Sequence, residues 1–237
     1  MIGLLYQFPT WMQHLYRGVT WRRDASVLHD GKPVVYLTFD DGPIPEATPA
    51  ILDILKQYGI RATFFVVGDN IQKYPHIYAR VLAEGHRVGN HTFHHINGTK
   101  TPLRLSPHKG ESDYYLQDIE ACQQIMNAAC QNVITPFPKM EGQGMGLLFR
   151  PPYGKMTFRQ KRAILERGYE IILWDVLTHD YNRSYSPDKM LAIIQRYTRP
   201  GSIINFHDSV KSADRTIAVL PRVIEWLLQN GYSIELL

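Results

Sequence analysis

The chain has few of the features that mark several protein classes. No apolar run reaches the roughly 18 residues of a membrane span. Lys and Arg number 26 against 22 Asp and Glu, and no basic cluster alternates with aromatic residues, so a nucleic-acid partner is not predicted. The two cysteines, Cys122 and Cys130, lie in a helical pattern at a rise of roughly 12 Å, beyond the ~7 Å reach of a disulfide. They are predicted to be buried thiols.

The amino terminus also lacks the basic start of a signal peptide, and Gln7 and Pro9 interrupt its apolar residues. As written, the chain is therefore predicted to be cytoplasmic. Hydrophobic residues at 44% and charged residues at 20% are typical of a globular protein. Nothing in the pattern predicts an oligomeric state.

Short apolar runs of β type alternate with segments of helical apolar spacing. The runs predict strands at residues 34–39, 62–67, 87–89, 147–149, 171–174, 202–206 and 232–236. This alternation predicts an α/β fold, a distorted or incomplete (β/α)7–8 barrel of parallel strands with outer helices. Its predicted bounds are residues 33–237, and residues 1–32 are predicted to form an aromatic-rich lead-in packed on it.

Polar side chains that can do chemistry follow five of these strands. They are Asp40 and Asp41, His91 and His95, Arg150, Asp175, and His207 with Asp208. In a parallel barrel the carboxyl ends of the strands converge on one rim, which is where active sites lie. The sequence therefore predicts a functional site at that rim.

The first group is the pair Asp40 and Asp41. Consecutive side chains in a strand point to opposite faces, but the following Gly42-Pro43 step ends the strand and lets both carboxylates turn toward the barrel mouth. An ordinary acid-rich turn is the alternative interpretation.

The second group offers two imidazoles, His91 and His95, at i and i+4. On a helical turn such a pair shares one face and can hold a divalent ion. Ordinary surface histidines, or a pair of His91 with His94, are the alternatives. With one carboxylate, two histidines form a three-ligand set that leaves coordination positions open, as in catalytic metal sites.

Two further groups are more ambiguous by themselves. Arg150 presents a fork of donors suited to a carboxylate, and Asp40 is its obvious partner. The prolines that follow Arg150 also fit a merely rigid turn. His207 could equally be a satisfied buried histidine.

Read together, these segments resemble the motifs of the polysaccharide deacetylase family, carbohydrate esterase family 4, over about residues 33–237. Residues 38–43 read Thr-Phe-Asp-Asp-Gly-Pro, residues 91–95 read His-Thr-Phe-His-His, and residues 150–154 read Arg-Pro-Pro-Tyr-Gly. Residues 206–208 read Phe-His-Asp, where Leu-His-Asp is usual. The motifs stand in the family's order.

The resemblance implies a divalent metal held by Asp41, His91 and His95. Zn²⁺ is the metal expected, with Co²⁺, Ni²⁺ or Mn²⁺ as alternatives. By the same resemblance, Asp40 is the general base, and Arg150 steadies it.

The general acid implied by the resemblance is His207, and the backbone N–H near Tyr153 helps to stabilise the oxyanion. Side chains assigned to the substrate are those of Tyr153, Trp174 and Phe206.

The fourth family motif, Trp-x-x-Asp-x-x-Asp-Trp, is altered at residues 174–181. Leu177 replaces the first acid, and Tyr181 replaces the final Trp. Asp175 is the first candidate for the carboxylate that orients His207, and Asp180 is the second.

The resemblance implies a metal-dependent hydrolase of linear amides that removes N-acetyl groups from an amino-sugar polysaccharide or oligosaccharide. One alternative is a hydrolase of another acyl group or of a cyclic amide in a small metabolite. The other is a catalytically silent carbohydrate-binding domain. An acetylated amino sugar is the expected partner.

Overall fold

The computed structural model describes residues 6, 7, 13, 16–101, 113–131 and 147–237, with residues 130 and 131 described as backbone only. The strands are β1 (Val19–Thr20), β2 (Leu28–His29), β3 (Lys32–Asp40), β4 (Thr63–Val66), β5 (Arg87–Asn90), β6 (Leu147–Phe149), β7 (Tyr169–Ile172), β8 (Val176–Leu177), β9 (Ile203–His207) and β10 (Ser233–Ile234). The α-helices are α1 (Thr48–Gln57), α2 (Gly68–Lys73), α3 (Pro75–Ala83), α4 (Tyr114–Gln131), α5 (Phe158–Glu166), α6 (Pro187–Tyr197) and α7 (Ala213–Gln229).

The strands form one curled parallel sheet in the order β1-β7-β6-β5-β4-β3-β9-β8. Off this path, β10 pairs with β3 in parallel and β2 pairs with it antiparallel. Only residues 173–175 separate β7 from β8, although the two strands stand near opposite ends of the order. The sheet therefore curls into an incomplete barrel with helices outside, and the predicted fold class is confirmed.

Strand β3 shows why the sheet is buried on both faces. Its side chains alternate between two environments, as strand geometry requires. Leu37 and Phe39 belong to the large core that includes residues of the outer helices. Tyr36 points inward, where it joins an apolar cluster with Phe65 and Ile203. The interior is apolar near the start of β3 and becomes polar toward its carboxyl end at Asp40. The polar side chains of the interior therefore lie at the carboxyl end of β3.

Two outer helices begin at sequence signals. Ser186 accepts a hydrogen bond from the backbone N–H of Lys189 at the start of α6. Thr157 and Gln160 form a reciprocal capping box at the start of α5. The second of these caps holds α5 directly after the rim residues 150–154.

Three two-residue strands were not predicted from the sequence. Strands β1, β2 and β8 have two residues each, too few to show a periodicity. The predicted strand at 171–174 was misplaced, because β7 ends at Ile172 and the chain then continues into β8. As a result, Asp175 lies between β7 and β8, directly before the start of β8.

The described residues of the N-terminal segment contact strands near both edges of the sheet. Strand β1 pairs with β7, and Gln7 forms an antiparallel bridge with Val176 of β8. The hydroxyl of Tyr6 lies 3.0 Å from that of Tyr185. Phe8 and Trp11 of the aromatic-rich lead-in lie outside the described residues.

Cys122 is buried in α4, as predicted, and burial raises the pKa of its thiol to about 12. The side chain of Cys130 lies outside the described residues. Within the described ranges, no helix has both the length and the apolar character needed to cross a bilayer.

Candidate metal centre and active site

The turn after β3 brings its two acids to the same rim. Asp41 has a positive φ of 87°, a conformation that non-glycine residues adopt at a cost of order 1–3 kcal/mol. Asp208 fixes the turn, because its carboxylate accepts hydrogen bonds from the Gly42 N–H (2.8 Å) and the Thr48 hydroxyl (2.7 Å). A side chain at Gly42 would clash with Asp208, so this turn requires glycine.

Two histidines from the loop after β5 face Asp41. Its Oδ1 atom lies 3.6 Å from Nε2 of His91 and 3.1 Å from Nε2 of His95. Nδ1 of His91 donates to the backbone oxygen of Arg150 over 2.7 Å, which leaves the Nε2 lone pair free to face the carboxylate. The expected helical turn was wrong, because Thr92 and His95 have φ of 66° and 54° and the segment is a loop.

The donor atoms of Asp41, His91 and His95 all lie within 4.8 Å of one another. Oδ1 of Asp41 is buried and accepts no hydrogen bond from any described residue. An unbonded carboxylate oxygen between two imidazole nitrogens is an arrangement that a divalent cation stabilises. One oxygen and two nitrogens suit Zn²⁺ and also Co²⁺, Ni²⁺ or Mn²⁺. The three side chains therefore fit a metal.

Electrostatics keep Asp41 ionised. Burial alone raises the pKa of its carboxyl group, but His91, His95 and His207 outweigh burial and hold that pKa well below the usual value. A deprotonated carboxylate is the form that binds a cation.

His94 is excluded from this set by its own partner. Its Nδ1 atom lies 2.5 Å from Oδ1 of Asp118, and the other oxygen of Asp118 accepts the backbone N–H groups of Phe93 (2.8 Å) and His94 (3.0 Å). His94 thus braces the loop from outside, and the pair that faces Asp41 is His91 with His95.

Asp40 points into the barrel, where Arg150 meets it. Nη1 of Arg150 donates to Oδ1 of Asp40 over 2.6 Å, and the side-chain amide of Asn205 donates to Oδ2 over 3.1 Å. Arg150 is fully buried and also donates to the backbone oxygens of Ile172 (3.3 Å) and Leu173 (2.9 Å). Burial lowers the pKa of Arg150, and Asp40 opposes that shift. The expected pairing of Arg150 with Asp40 is present.

His207, the last residue of β9, is supported by Asp180. Its Nδ1 lies 2.7 Å from Oδ1 of Asp180, whose Oδ2 accepts the His207 backbone N–H (2.6 Å) and the Thr216 hydroxyl (2.8 Å). Burial lowers the pKa of His207, but Asp180, with Asp41 and Asp40, outweighs burial and raises it to about 10. His207 is therefore an imidazolium near neutral pH, and a cation at Asp41 would reduce the rise.

The first candidate for the acid that orients His207, Asp175, was wrong. Its carboxylate accepts hydrogen bonds from Arg199 (2.7 Å) and from the Ser202 hydroxyl (2.7 Å). Asp175 precedes β8 and lies level with the start of β9, whereas His207 lies at the end of β9. Because the strands are parallel, Asp175 is at the opposite end from His207, and Asp180, which follows β8, is at the same end.

The three side chains assigned to the substrate lie in different places. Phe206 was wrongly assigned, because it is buried in the outer core and stacks on Phe39 with ring centroids 5.6 Å apart. Strand alternation turns Phe206 away from the interior that Asn205 faces. Tyr153 lies at the rim, 59% exposed, with its ring 4.8 Å from that of His95. Trp174 lies behind Gly154, against which its ring packs.

Sequence reasoning missed Asn205, His179 and the contact of Tyr181 with His207. Asn205 lies two residues before His207 on β9, so the period-two rule could have found it. His179 is buried with φ of 58°, and its Nδ1 lies 3.1 Å from the Tyr181 hydroxyl. The Tyr181 ring meets the His207 ring edge-on at 5.2 Å. No sequence pattern predicts this contact.

Replacing His95 tests the metal centre. His95→Ala removes one of three donors, so we expect Zn²⁺ affinity to fall by at least about tenfold in calorimetric titration. His94→Ala is the matched control, because the adjacent histidine bonds to Asp118 and should leave the affinity unchanged. Equal affinities for the two variants would contradict the assigned ligand set.

Replacing Arg150 tests the buried ion pair. Arg150→Met leaves the carboxylate of Asp40 buried without its charge partner, so the free energy of unfolding should fall by about 3–5 kcal/mol in urea titration. Arg162→Met is the control, because its ion pair with Glu166 is 82% and 60% exposed and should matter little. If both variants unfold at the same urea concentration, Arg150 does not stabilise the barrel interior.

Comparisons with known proteins show the family of this chain. The family model for polysaccharide deacetylases matches residues 28–172. A peptidoglycan-N-acetylglucosamine deacetylase of Bacillus cereus is 35% identical over 201 residues, 84% of this chain, and this chain spans 65% of that relative. A chitooligosaccharide deacetylase of Azorhizobium caulinodans is 30% identical over 89% of this chain and 96% of its own length.

Among solved structures, that of a peptidoglycan N-acetylglucosamine deacetylase in complex with 4-naphthalen-1-yl-N-oxidanyl-benzamide superposes with a TM-score of 0.79. It is 29% identical and covers 97% of this chain and 95% of its own. The family match, the relatives and the shared fold agree with the motif order. The chain belongs to the polysaccharide deacetylase family.

Proposed function

We propose that this protein is a metal-dependent hydrolase that removes N-acetyl groups from an amino-sugar polysaccharide or oligosaccharide. The observation that carries the proposal is the arrangement at the rim. Three donors with open coordination positions, Asp41, His91 and His95, lie on the same rim as an arginine-paired carboxylate and a carboxylate-supported imidazolium. The family and the two groups of named deacetylases among its relatives support the same reaction.

The proposed roles follow from the partners of each side chain. When bound, a divalent cation supplies a Lewis acid that polarises a carbonyl and acidifies water. Asp40 takes the proton from the attacking water, and Arg150, which donates a hydrogen bond to it over 2.6 Å, holds that carboxylate in position. Rigid placement of the base matters because proton transfer requires hydrogen-bond reach to the reacting atom.

His207 completes the proton balance. An amine leaves an amide poorly unless it is protonated, so the reaction needs an acid distinct from the base. The imidazolium of His207, held by Asp180, donates its Nε2 proton to the leaving nitrogen. The products are acetic acid, which loses its proton to solvent and leaves as acetate, and a free amine on the sugar. Asp40 then holds one water proton and His207 is neutral, and transfer of that proton from Asp40 to His207 through solvent restores both groups.

The alternative of a silent carbohydrate-binding domain receives no support from this arrangement. Sugar binding alone does not need a base, an acid and a three-donor centre on one rim. The observed pairing of Asp40 with Arg150 and of His207 with Asp180 favours catalysis instead.

Acetate release tests the proposed reaction. Purified protein should release acetate from chitooligosaccharides or from peptidoglycan glycan, lose that activity after dialysis against a chelator, and regain it with Zn²⁺ or Co²⁺. Small cyclic amides serve as the comparison substrates. Turnover of the cyclic amides without acetate release, or full activity in metal-free protein, would contradict the proposal.

The two acids of the altered motif can be separated by their pH profiles. Asp180→Asn removes the charge that raises the pKa of His207, so the acid loses its proton at lower pH. The basic limb of the kcat profile should move to lower pH, and kcat should fall by roughly 10²-fold or more, the scale of general acid catalysis.

Asp175→Asn is the matched control. It weakens the contacts to Arg199 and Ser202 and should lower the free energy of unfolding by ~1–3 kcal/mol, with the basic limb unmoved. A shifted limb in Asp175→Asn, or an unshifted limb in Asp180→Asn, would reverse the assignment.

A further inference from the structure

His179 is a buried histidine that has no role in the chemistry proposed above. It lies between β8 and α6 in the chain, and only 2% of its surface is exposed. Its Nδ1 lies 3.1 Å from the hydroxyl of Tyr181, whereas its Nε2 is buried and has no hydrogen-bond partner among the described residues. A buried polar atom without a partner lowers stability. If packing alone mattered, an apolar ring would therefore suit this pocket better than an imidazole.

The backbone of His179 is also held in an uncommon conformation. Its φ of 58° lies in the left-handed region, which residues other than glycine seldom adopt. Such a conformation persists only where neighbouring contacts hold it, and it is often found at functional sites. Here the backbone oxygen of His179 accepts the N–H of Asn182 over 2.9 Å. The structure thus keeps this histidine in place although both its backbone angle and its unpaired nitrogen are unfavourable.

Two tyrosine rings pack against the imidazole of His179. The ring of Tyr6 meets it at 82° with centroids 5.3 Å apart, and the ring centroid of Tyr185 lies 5.2 Å away. The hydroxyls of these two tyrosines are 3.0 Å apart. The backbone oxygen of Tyr6 accepts the N–H of Leu177, the last residue of β8, over 2.9 Å. The pocket is therefore anchored to the sheet, and it fixes the direction of Nδ1.

The ring of His179 is neutral near neutral pH. Burial lowers the pKa of His179 and outweighs Asp180, which raises it, and His207 adds to the decrease. A neutral imidazole has one N–H and one bare nitrogen. Because Nε2 has no acceptor within the part of the chain that the structure describes, the hydrogen is better placed on Nδ1, which then donates to the hydroxyl oxygen of Tyr181. Tyr181 is 38% exposed, so its own hydroxyl hydrogen can bond solvent.

Tyr181 connects His179 to the general acid. Its ring stands at 87° to the ring of His207, with centroids 5.2 Å apart, a favourable geometry for two aromatic rings. Asp180 holds His207 by a hydrogen bond at Nδ1, and a bond at one edge leaves the ring able to tilt about it. The Tyr181 ring limits that tilt. A misplacement of about 1 Å at a reacting group can cost on the order of 10² in rate, so this restraint affects catalysis.

We propose that His179 is a positioning residue for the general acid: its bond to Tyr181 holds the phenol ring against His207, and that contact keeps Nε2 of the imidazolium directed at the leaving nitrogen. The inference rests on the proposed function and adds two residues that act through His207 without touching the substrate. It explains why a histidine with an unfavourable backbone angle and an unpaired nitrogen occupies a pocket that apolar packing would fill better.

A double-mutant cycle tests the connection between the two residues. Tyr181→Phe removes only the hydroxyl, and His179→Phe keeps an aromatic ring in the pocket without Nδ1. Acetate release is measured on whichever of the two glycans named above the wild-type protein hydrolyses faster. Each variant should lower kcat by roughly fivefold, the scale of one hydrogen bond, and keep KM within about twofold. Because both changes break the same bond, the double variant should also lose roughly fivefold, not the roughly 25-fold of independent effects.

Two further variants separate positioning from packing. His179→Asn keeps an amide attached at Cγ, where it can take the place of Nδ1, and asparagine tolerates a positive φ. It should recover most of the kcat that His179→Phe loses, although its smaller side chain leaves a cavity and lowers the urea concentration of unfolding further. Tyr185→Phe is the control, because it removes a hydroxyl of the same pocket that bonds to Tyr6, and it should leave kcat unchanged.

The outcomes distinguish the inference from the proposed function. Multiplied losses in the double variant, a kcat for His179→Asn as low as that for His179→Phe, or a raised KM with unchanged kcat in Tyr181→Phe would overturn the inference and leave the proposed function intact. If His179→Phe does not fold, Tyr181→Phe decides alone, since a lower kcat at unchanged KM supports the inference and an unchanged kcat overturns it. Wild-type protein that releases no acetate would overturn both.

Discussion

The ion pair between Arg150 and Asp40 is the interaction on which the rest of the site depends. Arg150 is fully buried, and its guanidinium group joins Asp40 on β3 to the backbone oxygens of Ile172 and Leu173 beside β7. It also lies 4.0 Å above the ring of Phe65 on β4. One side chain thus ties several strands of the curled sheet together and holds the carboxylate that the proposed chemistry uses as a base.

The charged side chains at this rim differ in the partners that surround them. Asp40 faces Arg150, His207 faces Asp180, and Asp41 has two imidazoles but no hydrogen bond to Oδ1 from the described residues. In the first two pairs, each charged group is hydrogen-bonded to its partner. The unsatisfied third group is the position where a cation completes the structure. Two carboxylates adjacent in the chain therefore differ in role because their neighbours differ.

The sequence predicted much of this site because its residues stand where strands end. Asp40, Asp41 and His207 could be placed at one rim from strand periodicity and barrel geometry. Asp175 was misassigned because β8 has two residues and leaves no periodic signal, so its start and its end could not be told apart. The assignment of Phe206 to the substrate was wrong for a simpler reason. Adjacent side chains of a strand point to opposite faces, so Phe206 and His207 cannot both face the barrel interior. The edge-on contact of Tyr181 with His207 depends on tertiary packing that no local pattern encodes.

The most direct test of the central claim is the position of the metal itself. Crystals grown with Zn²⁺ and measured on both sides of the zinc absorption edge should show one anomalous peak, bonded to a carboxylate oxygen of Asp41 and to Nε2 of His91 and His95 at ~2.0–2.2 Å. At least one further coordination position should be open to solvent. A zinc ion bound elsewhere, or one closed by a fourth protein ligand, would contradict the account.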